Sequence, residues 1–377
     1  MQSVHSQWIT QLSTCPQVSW QLLQGSEQPF TCYSYLNILE QTHCVGQGTG
    51  WKPMHWLLWQ GSQLLAAVPG YLKLHSFGEY VFDWNWAESY QQMGLDYYPK
   101  WISAIPFTPV TGARLLLAAG VDEQIVWPYL QTALSELGEQ FKLSGSHWLF
   151  TPSEQRTPQP WLRRQHLQYH WHNRNYMQFS DFLSQLTSRK RKMINKERRA
   201  VAEYGISIRC VEGRDLTESM WQCLLACYQQ TYLEHSGHEG YLNAQWFTQL
   251  RQQMSKYIMV SFAEHQGQLI AASLFFVGRD TLYGRYWGSL AYAKLLHFEL
   301  CYYQGIDYCI THQLAHFHAG AQGEHKLLRG FEPTYCDSFH YLSDRRFAGA
   351  LASLLEQEQR QVHEQYQHAL SVLPYHR

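Results

Sequence analysis

Apolar and polar positions recur with two different periods along this chain, and the changes of period mark its elements. Residues 55–59 and 64–71 are apolar runs around a polar turn at 60–63, which predicts a β-hairpin. Residues 80–86 alternate in the same manner and are expected to form a strand, with Glu79, Val81 and Asp83 on one face and Tyr80 and Phe82 on the other. The period becomes helical over 125–143, and 147–150 then reads as a short buried strand. Between 151 and 175 the composition turns to Pro, Gln, Arg and His, which suits a connecting segment.

The second half repeats this grammar. A helix is expected from Ser188, as its cap, to Tyr204, with Gly205 as its stop. Met193, Ile194, Ala200, Val201 and Tyr204 fall on one side of it, and Arg189, Lys192, Lys196 and Arg199 on another. A strand at 206–211, helices at 216–235 and 244–254, a hairpin at 257–263 and 269–277, a strand at 281–287 and a helix at 296–311 follow. Residues 347–373 carry apolar positions at helical spacing and predict an amphipathic terminal helix. Two halves with the same succession imply an internal duplication at the level of the fold.

Composition narrows the class. With 377 residues, 45% hydrophobic and 15% aromatic, the chain can build more than one large core and is not disordered. A net charge of −1 removes any general attraction to nucleic acid or anionic membrane, so such a contact needs a local patch. The nine cysteines form no C-x-x-C pair, the N-terminus lacks the layout of a secretory signal, and no run reaches the length of a membrane span. A reduced, cytoplasmic protein is the expectation.

The densest chemistry lies at 320–331, where Gln322, Glu324, His325, Lys326 and Arg329 stand among three glycines. Glu324 or His325 could serve as a base, while Lys326 and Arg329 could hold phosphate or carboxylate. The alternative is a structural Glu324–Arg329 ion pair in a glycine turn. His75, Glu79 and Asp83 form a second polar group, able to position an amine or to partner a buried cation. His297 and Glu299 open the helix before the main segment but, two residues apart, do not share a face. Residues 312, 316, 318 and 325 are histidines, the first two at helix-face spacing, but no carboxylate or Cys lies at a familiar ligand spacing from them, so no metal is expected.

The runs 75–84, 97–100, 106–114, 189–206, 296–305 and 320–326 together resemble the FemAB-like proteins, a bacterial family of peptidoglycan biosynthesis or recognition within the GNAT superfamily. The resemblance implies an α/β (α+β type) chain of two tandem GNAT-like domains, each a mixed, mostly antiparallel sheet flanked by helices. Their expected limits are 1–160 and 188–377, joined by a crossing segment at 161–187. It further implies an acyl- or aminoacyltransferase that moves an activated acyl group to an amine on a small molecule, a peptide or a cell-wall precursor. The donor, held in the cleft of a splayed sheet, is expected to be aminoacyl-tRNA or an acyl-CoA. For tRNA, Arg189, Lys192, Lys196 and Arg199 would meet phosphates. For CoA, residues 285–294 keep only Arg285 and one glycine of the usual pyrophosphate loop. A non-catalytic module that binds a peptide, a cell-wall precursor or RNA is the alternative reading.

Overall fold

The computed structural model describes residues 3–153, 160–320 and 323–376. Its strands are β1 (Val4–Ile9), β2 (Leu23–Gln24), β3 (Trp51–Pro53), β4 (His55–Gln60), β5 (Gln63–Val68), β6 (Tyr71–Lys73), β7 (Lys100–Ser103), β8 (Leu116–Ala118), β9 (Gly145–Thr151), β10 (Leu162–His172), β11 (Ile206–Glu212), β12 (Ile258–His265), β13 (Gln268–Val277), β14 (Thr281–Ser289), β15 (His316–His318) and β16 (Glu332–Leu342). The helices are α1 (Gln17–Gln21), α2 (Tyr33–Gln41), α3 (Trp84–Gln92), α4 (Glu123–Phe141), α5 (Phe179–Ser184), α6 (Ser188–Glu203), α7 (Glu218–Ser236), α8 (Ala244–Met254), α9 (Leu296–Phe298), α10 (Gln304–Thr311) and α11 (Arg345–Ser371). A π-helical stretch, Glu299–Tyr303, joins α9 to α10, and a 3-10 stretch spans Glu324–Arg329.

The chain divides into two compact units. Unit 1 holds residues 1–166 and 335–364; unit 2 holds 167–334 and 365–377. The segment 161–187 carries β10 and α5, and β10 spans the division at 166/167.

In unit 1, a sheet of order β1-β4-β5-β8-β2 is antiparallel throughout and contains the expected hairpin, β4–β5. A second group of strands pairs β3–β6–β7 antiparallel, β7–β9 parallel and β9–β16 antiparallel. Trp56, Trp101, Trp148 and the apolar face of α4 fill the core between them. In unit 2 the order is β11-β12-β13-β14-β15-β10, antiparallel except for the parallel β14–β15 pair. Each unit thus has a parallel pair flanked by antiparallel neighbours, which is the mixed, mostly antiparallel arrangement expected of tandem GNAT-like domains. Strands β12 and β13 each bury a run of six residues, and Phe275, Leu282, Phe317 and Ile306 belong to the unit 2 core.

One element departs from its expected form. Residues 80–83 are not a strand, because Gly78 and Tyr80 adopt left-handed backbone angles (φ +78° and +61°) and Asp83 caps α3. The alternation nevertheless survives in an irregular extended loop: Glu79, Val81 and Asp83 are buried, and Tyr80 and Phe82 are exposed. At α6 the N-cap is Thr187 rather than Ser188. No described helix is long and apolar enough to cross a membrane.

Candidate functional site

In unit 2, β14 bonds to β15 only over residues 281–283, paired with 316–318, yet it runs on to Ser289 along β13. The β14–β15 ladder ends at the Tyr283–His318 pair, with Ala319 still against Gly284, while the β13–β14 ladder continues to Ser289. The helical run 296–311 lies beside this splay. Its π-helical stretch widens one turn and re-aims the side chains that follow, a distortion common at functional sites.

Four residues meet there. The Tyr302 hydroxyl lies 2.7 Å from His325 Nε2. The His297 ring sits 5.2 Å from Tyr302 and 6.2 Å from His325. Burial, then the charges of Lys326 and Arg329, hold His325 below its ordinary pKa; burial and the same neighbours with His325 bring His297 down to about 4. Both rings are neutral at pH 7. Gly323 (φ +113°) lets the backbone fold against the His325 ring, since a Cβ there would lie 2.6 Å from Cε1. Lys326 is 2% exposed, donates to the Gly320 carbonyl at 2.7 Å, and has its pKa pulled down to about 7 by desolvation.

The remaining expected site residues part company. Arg329 is not paired with Glu324. Its guanidinium grips Glu197 of α6 at 2.7 and 2.9 Å, reaches Tyr303 Oη at 3.0 Å and the His325 carbonyl at 2.9 Å, and lies on the Phe298 ring. Glu324 is exposed at the head of the 3-10 stretch. Glu299 turns the other way, to Arg198 at 3.1 Å and Gln304 at 2.8 Å. Arg285 sits within β14 and stacks on Tyr286. Arg189, Lys192, Lys196 and Arg199 are all exposed along one flank of α6. Gln322 lies outside the described residues. Among the described residues no group of histidines, cysteines and carboxylates has the geometry to hold a metal.

In unit 1, His75, Glu79 and Asp83 are gathered around two lysines that sequence reasoning missed. Lys100 Nζ donates to Glu79 at 2.8 Å, to Ser76 at 3.0 Å and to Asp83; Tyr97 also donates to Asp83, at 2.7 Å. Lys73 Nζ lies 3.8 Å from Glu79 and 3.9 Å over the Trp51 ring. All four charged groups are at most 4% exposed. Burial drops Lys73 to about 7 against the pull of Glu79. Burial raises Glu79, whereas for Asp83 the same burial is outweighed by Lys100 and by hydrogen bonds, so its pKa falls. The signal was a lysine at one end of each of two short strands, closing β6 and opening β7. For Glu197 it was the lone acid among the seven bases of 189–199.

The segment expected to hold a CoA pyrophosphate is built differently. Arg285 and Gly288 belong to β14, and the connection to α9, residues 290–295, has no glycine. Gly288 serves packing: a Cβ would fall 1.9 Å from the Cys227 carbonyl of α7. Gly288→Ala is expected to cost about 1–3 kcal/mol by overpacking, seen as a lower denaturation midpoint. The Leu296, Phe298 and Glu299 amides already donate to Ala293 and Leu295 carbonyls.

A parallel strand pair that parts beyond its third residue, with a helix alongside and antiparallel partners outside, is the cleft architecture of GNAT-type acyltransferases. The chain belongs to the FemAB-like family of peptidoglycan biosynthesis/recognition, whose sequence profile matches residues 11–377, and it is an acyl- or aminoacyltransferase by that membership. Among solved structures it is similar to FemX, at 8% identity and TM-score 0.51, covering 92% of this chain and all (100%) of that one. It is also similar to a tandem GNAT protein from the clavulanic acid biosynthesis pathway (10% identity, 91% and 99% covered, TM-score 0.47). A third is L-PGS from Bacillus licheniformis (9% identity, 87% and 98% covered, TM-score 0.48). Comparison with curated proteins found no match.

Proposed function

We propose that unit 2 transfers an aminoacyl group from aminoacyl-tRNA to an amine of a cell-wall precursor or peptide, beside β14 where its pairing with β15 ends. The observation that carries this reading is the splay of β14 from β15 with a neutral His325 and a buried Lys326 beside it. The amine nitrogen attacks the ester carbonyl, the tetrahedral intermediate collapses as the C–O bond to the ribose breaks, and an amide forms. His325, steadied by Tyr302, takes the proton from the attacking nitrogen and returns it to the leaving oxygen. Lys326 in its protonated form opposes the charge growing on the carbonyl oxygen. Arg329 and Glu197 hold the 3-10 stretch, and the Glu79–Asp83–Lys100 cluster holds the loop of unit 1.

Ester rather than thioester donation is favoured because the connection before the 296–311 helix lacks glycine and the Leu296 amide at its head is already bonded to the Ala293 carbonyl. The exposed bases of α6 supply phosphate contacts instead.

Amide formation followed by mass spectrometry, with aminoacyl-tRNA or acyl-CoA as donor, tests this. His325→Gln is expected to lower kcat by about 100-fold or more, and glutamate at positions 189, 192, 196 and 199 together to raise KM for tRNA about tenfold or more with kcat kept. Full turnover in His325→Gln would refute its role. Turnover of acyl-CoA, indifferent to the α6 reversal, would refute the donor.

A further inference from the structure

The loop that joins β6 to α3, residues 74–83, is turned inside out. Its carboxylates, Glu79 and Asp83, are buried against Lys73 and Lys100, two charges of each sign, while Leu74, Phe77 and Phe82 are 54–60% exposed. Tyr80 and Trp84, the first residue of α3, are exposed as well. The alternation along the loop sends Tyr80, Phe82 and Trp84 outward together, and Phe77 joins them, its ring 5.0 Å from that of Trp84. Exposed apolar side chains of this size, gathered in one place, mark a contact surface.

A loop ordinarily stays in water because its amides and carbonyls need hydrogen-bond partners. Here the protein supplies many of them from beneath. The Phe77 carbonyl accepts from Trp51 Nε1 at 3.0 Å and Lys73 Nζ at 3.2 Å, the Gly78 carbonyl from the Phe107 amide at 3.2 Å, and the Phe82 carbonyl from Arg164 Nη1 at 2.8 Å. The Leu74 amide donates to the Gly50 carbonyl and the Phe77 amide to His75 Nδ1, both at 3.2 Å. These groups keep their partners when water leaves. Of residues 71–87, only Lys73, Glu79 and Asp83 carry a permanent charge, and each of the three is buried. His75 is held below its ordinary pKa by burial and then by Lys73, and is neutral at pH 7. Arg164 is itself paired with Glu358 at 2.8 Å.

We infer that this loop is a docking surface for a lipid bilayer, with Phe77 and Phe82 entering the boundary between headgroups and acyl chains and Tyr80 and Trp84 lying at headgroup level. A protein interface surrounds its apolar centre with directional polar contacts, about one hydrogen bond per 100–200 Å². The loop side chains that could make them, Ser76, Glu79 and Asp83, are turned inward onto Lys100. A lipid boundary asks for none of these and takes aromatic rings that have an apolar body and a polar tip. The contact is shallow, because irregular backbone does not enter the hydrocarbon core itself. With its charges inside, the loop attaches by apolar burial alone, so binding is indifferent to salt and to lipid charge. The inference does not depend on acyl transfer, since neither His325, Lys326 nor the bases of α6 take part in it.

Co-sedimentation of the full chain with phosphatidylcholine vesicles at high salt tests the surface. The protein is expected to pellet with them, to the same extent when an anionic lipid is mixed in, and vesicles with brominated acyl chains are expected to quench its tryptophan emission. Phe77→Ser combined with Phe82→Ser changes exposed positions where folding is not at risk, and is expected to weaken the partition by about tenfold or more while the thermal midpoint is kept. Trp84→Phe is expected to pellet as the parent does and to lose most of the quench. No pelleting, pelleting that requires the anionic lipid, pelleting untouched by the double variant, or a quench untouched by Trp84→Phe would each overturn the inference. So would a lipid-free dimer that the double variant dissolves, which would assign the surface to a second copy of the chain. Amide synthesis with a water-soluble acceptor reports separately on the site beside β14.

Discussion

Lys100→Met is expected to destabilise unit 1 by about 3–5 kcal/mol, the cost of removing one partner from a buried ionic network. Lys100 is 1% exposed and is the shared donor to Glu79 and Asp83. Methionine keeps most of its volume and none of its charge. Of its cations Glu79 would then keep Lys73 at 3.8 Å, and Asp83 would retain the Tyr97 and Ser76 hydroxyls, both neutral donors. The Oε1 atom of Glu79 and Oδ1 of Asp83 already lack hydrogen-bond partners, so the network has no slack. Replacing all three groups together, as Lys100→Met with Glu79→Gln and Asp83→Asn, should return much of the loss, because the penalty lies in stranded charge rather than in lost packing. Denaturant midpoints of the single and triple variants measure this. A single variant within about 1 kcal/mol of the parent, a surface-like value, would contradict the buried network.

Lys326→Met should have the opposite sign for stability and abolish most turnover. Burial takes the Lys326 pKa from near 10.5 to about 7, so the unfolded chain holds the proton more tightly than the folded one between those values. Stability of the parent therefore rises with pH across that window, and the penalty is greatest below pH 7, where the buried amine must carry its charge. About 1.4 kcal/mol per pKa unit sets a ceiling near 5 kcal/mol. Loss of the Gly320 hydrogen bond subtracts about 1 kcal/mol. A net gain of about 2–4 kcal/mol below pH 7, shrinking toward pH 10.5, is the expected result from unfolding curves taken across pH. A variant less stable than its parent at pH 6 would show that Lys326 is held by its partners and not strained by burial.

That a stabilising change should cost activity is the usual sign of a group kept for chemistry. Much of the fold was legible because its signals are local. The hairpins at 55–71 and 257–277 and the helices at 216–235, 244–254 and 296–311 each announce themselves by period, turn residues and caps. The strand expected at 80–86 failed because alternation records which residues are buried, not which backbone angles bury them. Here left-handed angles at Gly78 and Tyr80 do so without a ladder. Groups that the structure brings together were legible where they also cluster in sequence, as His325, Lys326 and Arg329 do. They were hidden where the partner is distant: Glu197 meets Arg329 across 132 positions, and Lys100 meets Asp83 across 17. Arg329 and Glu299 looked like ligand groups because nothing in a sequence says that a guanidinium or carboxylate is already spoken for.

The way the two units are cut from the chain bears on the order in which the protein can be made. Unit 1 includes residues 335–364, whose β16 portion pairs with β9, and unit 2 takes its first strand from β10, ahead of everything else it contains. A ribosome that has released the first 166 residues has therefore delivered a unit 1 whose β9 edge is still unpaired, and it stays so while unit 2 is synthesised. During translation each unit waits on a later piece of chain, residues 335–364 for unit 1 and 365–377 for unit 2, and the bare β9 edge is an aggregation hazard for as long as residues 167–334 take to emerge.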